Sequence, residues 1–99
     1  MKQADVNYNY DTDELFIIFK EVEVPSVFKL DNNVLLEFDD DTLCSIILPN
    51  FQNMFKRPIE FGIAFDLYDL KLVDDDMVIT LTVNERHYVN IKVNISSLK

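Results

Sequence analysis

The sequence predicts an all-β protein: a mostly antiparallel β-sandwich or partly closed barrel, with one short helix near residues 51–57. Three observations carry that expectation. Valine, isoleucine, phenylalanine and tyrosine are plentiful, while alanine, the strongest helix former, occurs only at Ala4 and Ala64. Apolar residues alternate with period two over several segments, as they do in strands with one buried face. Clusters of Asp and Asn recur at intervals of roughly 8–12 residues, the turn rhythm of a meander or sandwich. Across 99 residues this makes a single domain, 1–99, because two cores would each fall below the size that folds alone.

The elements follow in order, eight or nine short strands in all. Leu15 to Phe19 is apolar on both phases, the pattern of a central strand covered on two sides. Pro25 interrupts Val22 to Phe28. It lacks the N–H that a ladder needs, so this strand lies at an edge or bends, and the other edge becomes the expected docking or self-association site. Asp31-Asn32-Asn33, Asp39-Asp40-Asp41 and Asp74-Asp75-Asp76 are the strongest turn signals, since their side chains bond the following backbone. Asn50 is placed to cap a helix in which Phe51, Met54 and Phe55 fall at i, i+3 and i+4. Lys56 and Arg57 stand near its C-terminus, and Pro58 stops it.

Beyond the helix, Ile59, Phe61, Ile63, Phe65 and Leu67 alternate with Glu60, Gly62, Ala64 and Asp66. Met77, Ile79, Leu81 and Val83 form a second alternating set, and His87, Val89, Ile91, Val93 and Ile95 a third. The turn at Asn84-Glu85 makes those last two a hairpin. A strand, three aspartates and another strand occur at 34–48 and again at 67–83, an echo that turn chemistry explains without duplication. Gly62 is the lone glycine, so Asp and Asn must hold the left-handed turn positions that glycine usually takes.

Charge narrows the function. With 9 basic and 18 acidic residues the formal net charge is −9, which gives no general attraction for phosphate backbones or anionic lipid. Direct nucleic-acid and membrane binding are therefore not expected. The apolar run 15–19 is far short of the roughly 20 residues of a membrane span. No apolar stretch follows Lys2 to make a secretory signal, and the single Cys44 cannot form an internal disulfide. A cytoplasmic setting is the expectation.

Enzymatic chemistry finds little material. Cys44 and His87 are the only thiol and imidazole, and a dyad would need them in contact with a third group orienting the ring. Both fall in phase with apolar neighbours and are expected at interior or boundary positions. One Cys and one His supply too few zinc ligands. The Asp triplets lack the glycine, the ligand spacing and the distal Glu of a calcium loop. Neither a metal nor a cofactor is expected, and an enzyme is not.

Surface remains. Asp39, Asp40, Asp41, Asp66, Asp69, Asp74, Asp75 and Asp76 can form negative patches that steer a basic protein partner. Phe51, Met54 and Phe55 could add an apolar anchor, or, if the helix buries its apolar side, cover a sheet face instead.

The first half also resembles a family of small prokaryotic domains of unknown function. That family's first strand reads Tyr-Asp-x-x-x-Asp-x-Leu-Tyr-Ile-x-Phe. Tyr8, Asp13, Leu15, Ile17 and Phe19 match it, with Asn9 and Phe16 as close substitutes. Its Val-x-Leu-Asp-x-Asp hairpin is similar to Val34-Leu35-Leu36-Glu37-Phe38-Asp39-Asp40-Asp41. Here the hairpin has no glycine, and Ile47 stands where a glutamate is usual. The resemblance covers residues 6–50. It implies a compact β-rich domain and, because some members are encoded beside small toxin-like proteins, an antitoxin or partner-binding role. Physically, Leu15, Ile17 and Phe19 read as core positions and Asp13 as a turn or strand-start residue.

The expected function is thus non-catalytic protein binding, as an antitoxin-like or inhibitory partner of a small basic protein. The alternatives are an acidic nucleic-acid mimic that inhibits a defence complex, in the manner of an anti-CRISPR, and a homo-oligomer (a homodimer in the simplest case) paired through a strand edge.

Overall fold

The computed structural model describes residues 4–98. Among them are eight strands: β1 (Asp5–Asn9), β2 (Glu14–Ile18), β3 (Ser26–Lys29), β4 (Leu35–Asp39), β5 (Thr42–Leu48), β6 (Phe65–Val73), β7 (Asp76–Val83) and β8 (His87–Asn94). One α-helix, α1 (Phe51–Phe55), joins β5 to the chain leading into β6, and a short 3-10 turn (Ser96–Leu98) follows β8. All pairings are antiparallel. They make a five-stranded sheet in the order β1-β2-β5-β4-β3 and a three-stranded sheet in the order β6-β7-β8. The two sheets do not close into a barrel, so of the two predicted architectures the sandwich is the one formed.

The core lies between the sheets. Leu15, Ile17, Leu36, Ile46 and Leu48 face it from one side, and Phe65, Met77, Ile79, Leu81, Val83, Ile91 and Val93 from the other. The alternation predicted for β7 is realised residue by residue, since Met77, Ile79, Leu81 and Val83 are buried and Val78, Thr80 and Thr82 are half-buried. Pro25 immediately precedes β3, which is an edge strand of the five-stranded sheet. The opposite edge, expected to be open for docking, is β1, and it runs beside β6.

Several local expectations are corrected. Tyr8 to Phe19 is a hairpin, β1 turning into β2, because Asp13 adopts φ 57° and its N–H bonds back to the Asn9 carbonyl at 2.9 Å. The alternating stretch 59–64 is a loop, and β6 begins only at Phe65. Pro58 offers no N–H, and the backbone around Gly62 (φ 91°) is held by a side chain instead of a strand. The Tyr10 hydroxyl donates to the Glu60 carbonyl (3.0 Å) and accepts from the Gly62 N–H (3.1 Å). Phe61, expected on a strand face, stands 93% exposed beside the Tyr10 ring, at 5.4 Å between centroids.

Helix α1 is not capped by its own neighbour. Asn50 lies at the N-cap in a left-handed conformation and makes no side-chain capping bond. Asp13 takes the role from the first hairpin: its carbonyl accepts from Phe51 N–H (3.0 Å) and its carboxylate from Gln52 N–H (3.1 Å). Lys56 closes the helix, also left-handed, with its N–H on the Gln52 carbonyl.

The scarcity of glycine has the expected consequence. Asp13, Asn33, Asp40, Asn50, Lys56, Asp74, Asn84 and Glu85 all have positive φ, and six of these eight are Asp or Asn, the residues that tolerate this region best. The two Asp triplets use it differently. Asp40 and Asp41 are the turn between Asp39 and Thr42, whereas Asp74 and Asp75 turn between Val73 and Asp76. The triplets are offset by one residue relative to their hairpins, as independent turns would be.

Candidate binding surface

The first motif residues form a structural node. The Tyr8 hydroxyl donates to the Asp13 carboxylate at 2.6 Å, and that carboxylate also holds the start of α1. Desolvation raises the Tyr8 pKa above its ordinary value, and the bond to Asp13 raises it further. Leu15 and Ile17 are fully buried, and Phe19 packs against the core. The node ties the first hairpin to the helix, so the motif's matched residues serve folding.

The predicted apolar anchor is mostly withdrawn from the surface. Phe51 and Phe55 are buried, stacked on each other at 5.8 Å and edge-on to Phe65 at 5.4 and 5.5 Å. Met54 is half-buried against the same core. A short amphipathic helix over an open sandwich end gains most by burying its apolar face, and two of the three residues offered for docking are spent that way.

The acidic residues stay outside, in three groups. Asp39, Asp40 and Asp41 belong to the β4–β5 turn and Asp74, Asp75 and Asp76 to the β6–β7 turn. Both turns lie at the strand ends away from α1, since Leu48 leads into the helix and Phe65 packs on it. Asp66 and Asp69 lie along β6, paired across from Thr82 and Thr80 on the solvent face of the three-stranded sheet. Ion pairs link Lys20 to Asp39 (2.9 Å) and Lys71 to Asp69 (3.7 Å). The Asp39 contact raises the Lys20 pKa.

Cys44 and His87 stand apart. Cys44 is the extra residue of a bulge in β5, between the pairs Glu37–Ser45 and Phe38–Leu43. It is buried, with Sγ donating to the Thr42 carbonyl at 3.4 Å. His87 opens β8 on the other sheet and is exposed, which corrects its expected interior or boundary place, because the strand begins there beside the turn at Asn84–Arg86. Among the described residues no group of three or more His, Cys, Asp or Glu side chains could hold a metal ion, and no helix is long and apolar enough to cross a membrane.

Two surface features escaped the sequence reading. Tyr68 is the extra residue of a bulge in β6, which sets its ring against Tyr88 at 4.9 Å on the solvent face. Phe16, Ile18, Leu35 and Ile47 line the outer face of the five-stranded sheet and take no part in the core. The run Leu15 to Phe19, apolar on both phases, was the signal for them.

The fold and this surface define an antiparallel β-sandwich with an acidic exterior. No family model matches the chain, and comparison with curated proteins and with solved structures returns no match.

Proposed function

We propose that this is a non-catalytic, cytoplasmic binding protein that docks a small basic protein, as an antitoxin or an inhibitor does. One observation carries the reading. Of the eight candidate acidic residues, Asp40, Asp41, Asp74 and Asp75 form the two turns, so turn chemistry accounts for four of them. Asp66 and Asp69 lie within a strand, where Asp is intrinsically disfavoured. Carboxylates gathered at two turns and one strand face, two of them where strand geometry disfavours Asp, fit electrostatic recognition of a cationic surface. The resemblance of residues 6–50 to a family some of whose members are encoded beside small toxin-like proteins supports the same reading.

The test is capture from host lysate with the wild-type chain and with a variant carrying Asn at Asp39, Asp40, Asp41, Asp74, Asp75 and Asp76. Asn tolerates the left-handed turns as Asp does, so the variant keeps the fold. The expected result is one small basic protein in near-stoichiometric amount on the wild type, lost on the variant and at high salt. Equal capture by both overturns the proposal. Recovery of a large nucleic-acid-binding complex displaced by DNA also overturns it, in favour of mimicry.

A further inference from the structure

The inner face of the five-stranded sheet packs into the core, and the chain after β2 covers part of its outer face. Its outer face carries a row that runs across three strands, Phe16 on β2, Ile47 on β5 and Leu35 on β4, paired directly in the register. Ile18 lies in the next row, beside Ser45 and Glu37, whose side chains are hydrogen-bonded to each other. The chain after β2 folds over that second row, forming a cleft between Val22 and Ile18, Glu37 and Ser45. None of the three belongs to the core, and all three are half-buried. Isolated apolar side chains on a surface are ordinary, whereas a contiguous half-buried row on a sheet face offers a surface for a partner. The sequence is patterned for two covers over β2, and the fold supplies one and part of the other.

The charge around the row decides its occupant. Asp5 and Glu14 flank it on β1 and β2, Glu37 and Asp39 on β4, and Lys29 on β3, all on the same outer face by register. Four carboxylates against two lysines, Lys29 and the Lys20 that pairs with Asp39 at 2.9 Å, leave an acidic rim, on a chain of net charge −9. A second copy would bring like rims together, which is repulsive. We infer that this face receives an amphipathic helix of the basic partner, its apolar stripe on Phe16, Ile47 and Leu35 and its lysines or arginines on the rim. The inference rests on the basic-partner reading and deepens it, supplying the apolar anchor that the buried Phe51 and Phe55 do not.

The probe is a Leu/Lys amphipathic peptide of about 18 residues, roughly five helical turns, with one Trp in its apolar stripe. The protein contains no Trp, so the peptide's emission reports alone. Expected are saturable binding and a blue shift of the Trp, with affinity about tenfold or more weaker for Leu35→Thr/Ile47→Thr, the loss typical of removing anchor side chains. Far-UV circular dichroism and Tm establish that this variant is folded. Because both positions are on the outer face, a milder Leu35→Thr alone gives the same direction if the double variant unfolds. Equal binding by a scrambled peptide of the same charge, or binding without a blue shift, overturns the inference in favour of charge alone. A concentration-dependent dimer of the wild type that Leu35→Thr/Ile47→Thr abolishes overturns it in favour of a second copy. If the peptide result holds while the six-asparagine variant still captures its partner, the acidic turns fail and the sheet face stands. The converse pattern fails the face alone.

Discussion

The two sheets of the sandwich differ most on the sides that look away from each other. The three-stranded sheet presents Thr80, Thr82, Asn90 and Lys92 outward, with Thr80 donating to the Asn90 side chain at 2.7 Å. The same face also carries the exposed Tyr68–Tyr88 pair. The five-stranded sheet presents Phe16, Ile18, Leu35 and Ile47, which is an interior pattern on an exterior face. Both sheets contribute fully to one core, so the difference does not arise from folding the monomer. It teaches that one sheet meets its surroundings with polar side chains and a tyrosine pair, and the other with an aliphatic and aromatic row.

The sharpest way to break that comparison uses two adjacent residues. Ile46 is fully buried and Ile47 is on the outer face. Ile46→Ala should cost roughly 2–5 kcal/mol, the range for a large-to-small change in a packed core. Ile47→Thr, at a half-buried position on the outer face, should cost about 1 kcal/mol or less. Equilibrium urea denaturation measures both, and a large loss at Ile47 would show that its face is already part of the monomer's packing.

Next in size is the cap supplied from a distance. Asp13→Ala removes the acceptor for Gln52 N–H and for Tyr8, at a cost of about 1–3 kcal/mol. Asn50→Gly should be neutral or stabilising by up to ~1 kcal/mol, because Asn50 caps nothing with its side chain and sits in a left-handed conformation. If Asn50→Gly proves the more damaging of the two, the assignment of the cap is wrong.

The turns give a smaller effect of opposite sign. Asp40→Gly should raise Tm slightly, by the equivalent of up to ~1 kcal/mol, since glycine adopts a positive φ without strain. Asp41→Gly, at the neighbouring position without a positive φ, should lower it. Parallel melting curves decide the sign for each.

Alkaline pH gives the last test. The Tyr8 pKa is raised by desolvation and by its bond to Asp13, so the unfolded chain releases this proton at lower pH than the folded one. The linked stability is therefore complete below the ordinary value of 10.0 and is lost as pH rises from there through the folded pKa. Tyr8→Phe should decline less steeply than wild type over that window; identical slopes would remove Tyr8 as a cause.

Much of this architecture was legible in the chain. Period-two alternation located β7 and β8 because each has one dry face and one wet face, and Pro25 marked an edge because its missing N–H is a local fact. Gly62 standing alone foretold the left-handed Asp and Asn residues. What failed was whatever depends on distant partners. Residues 59–64 alternate like a strand, yet the Tyr10 hydroxyl holds their backbone as a loop. Asn50 has the chemistry of a cap, yet Asp13 does the capping. The stripe Phe51, Met54 and Phe55 was legible as apolar, but only the position of Phe65 reveals that it points inward.

The strand order has a consequence for how the chain finds its shape. In the sheet β6-β7-β8 every pairing joins consecutive strands, and the same holds for β1 with β2 and for β3-β4-β5. The exception is β2 with β5, where Leu15 must wait for Leu48. Local hairpins close quickly, whereas a long loop loses more entropy before its contacts form. The three-stranded meander should thus assemble early, and the joining of β2 to β5 should set the folding rate. A conservative change at Ile91, whose pairing with Ile79 forms before that step, or at Ile17 or Ile46, whose pairing is that step, would then slow folding.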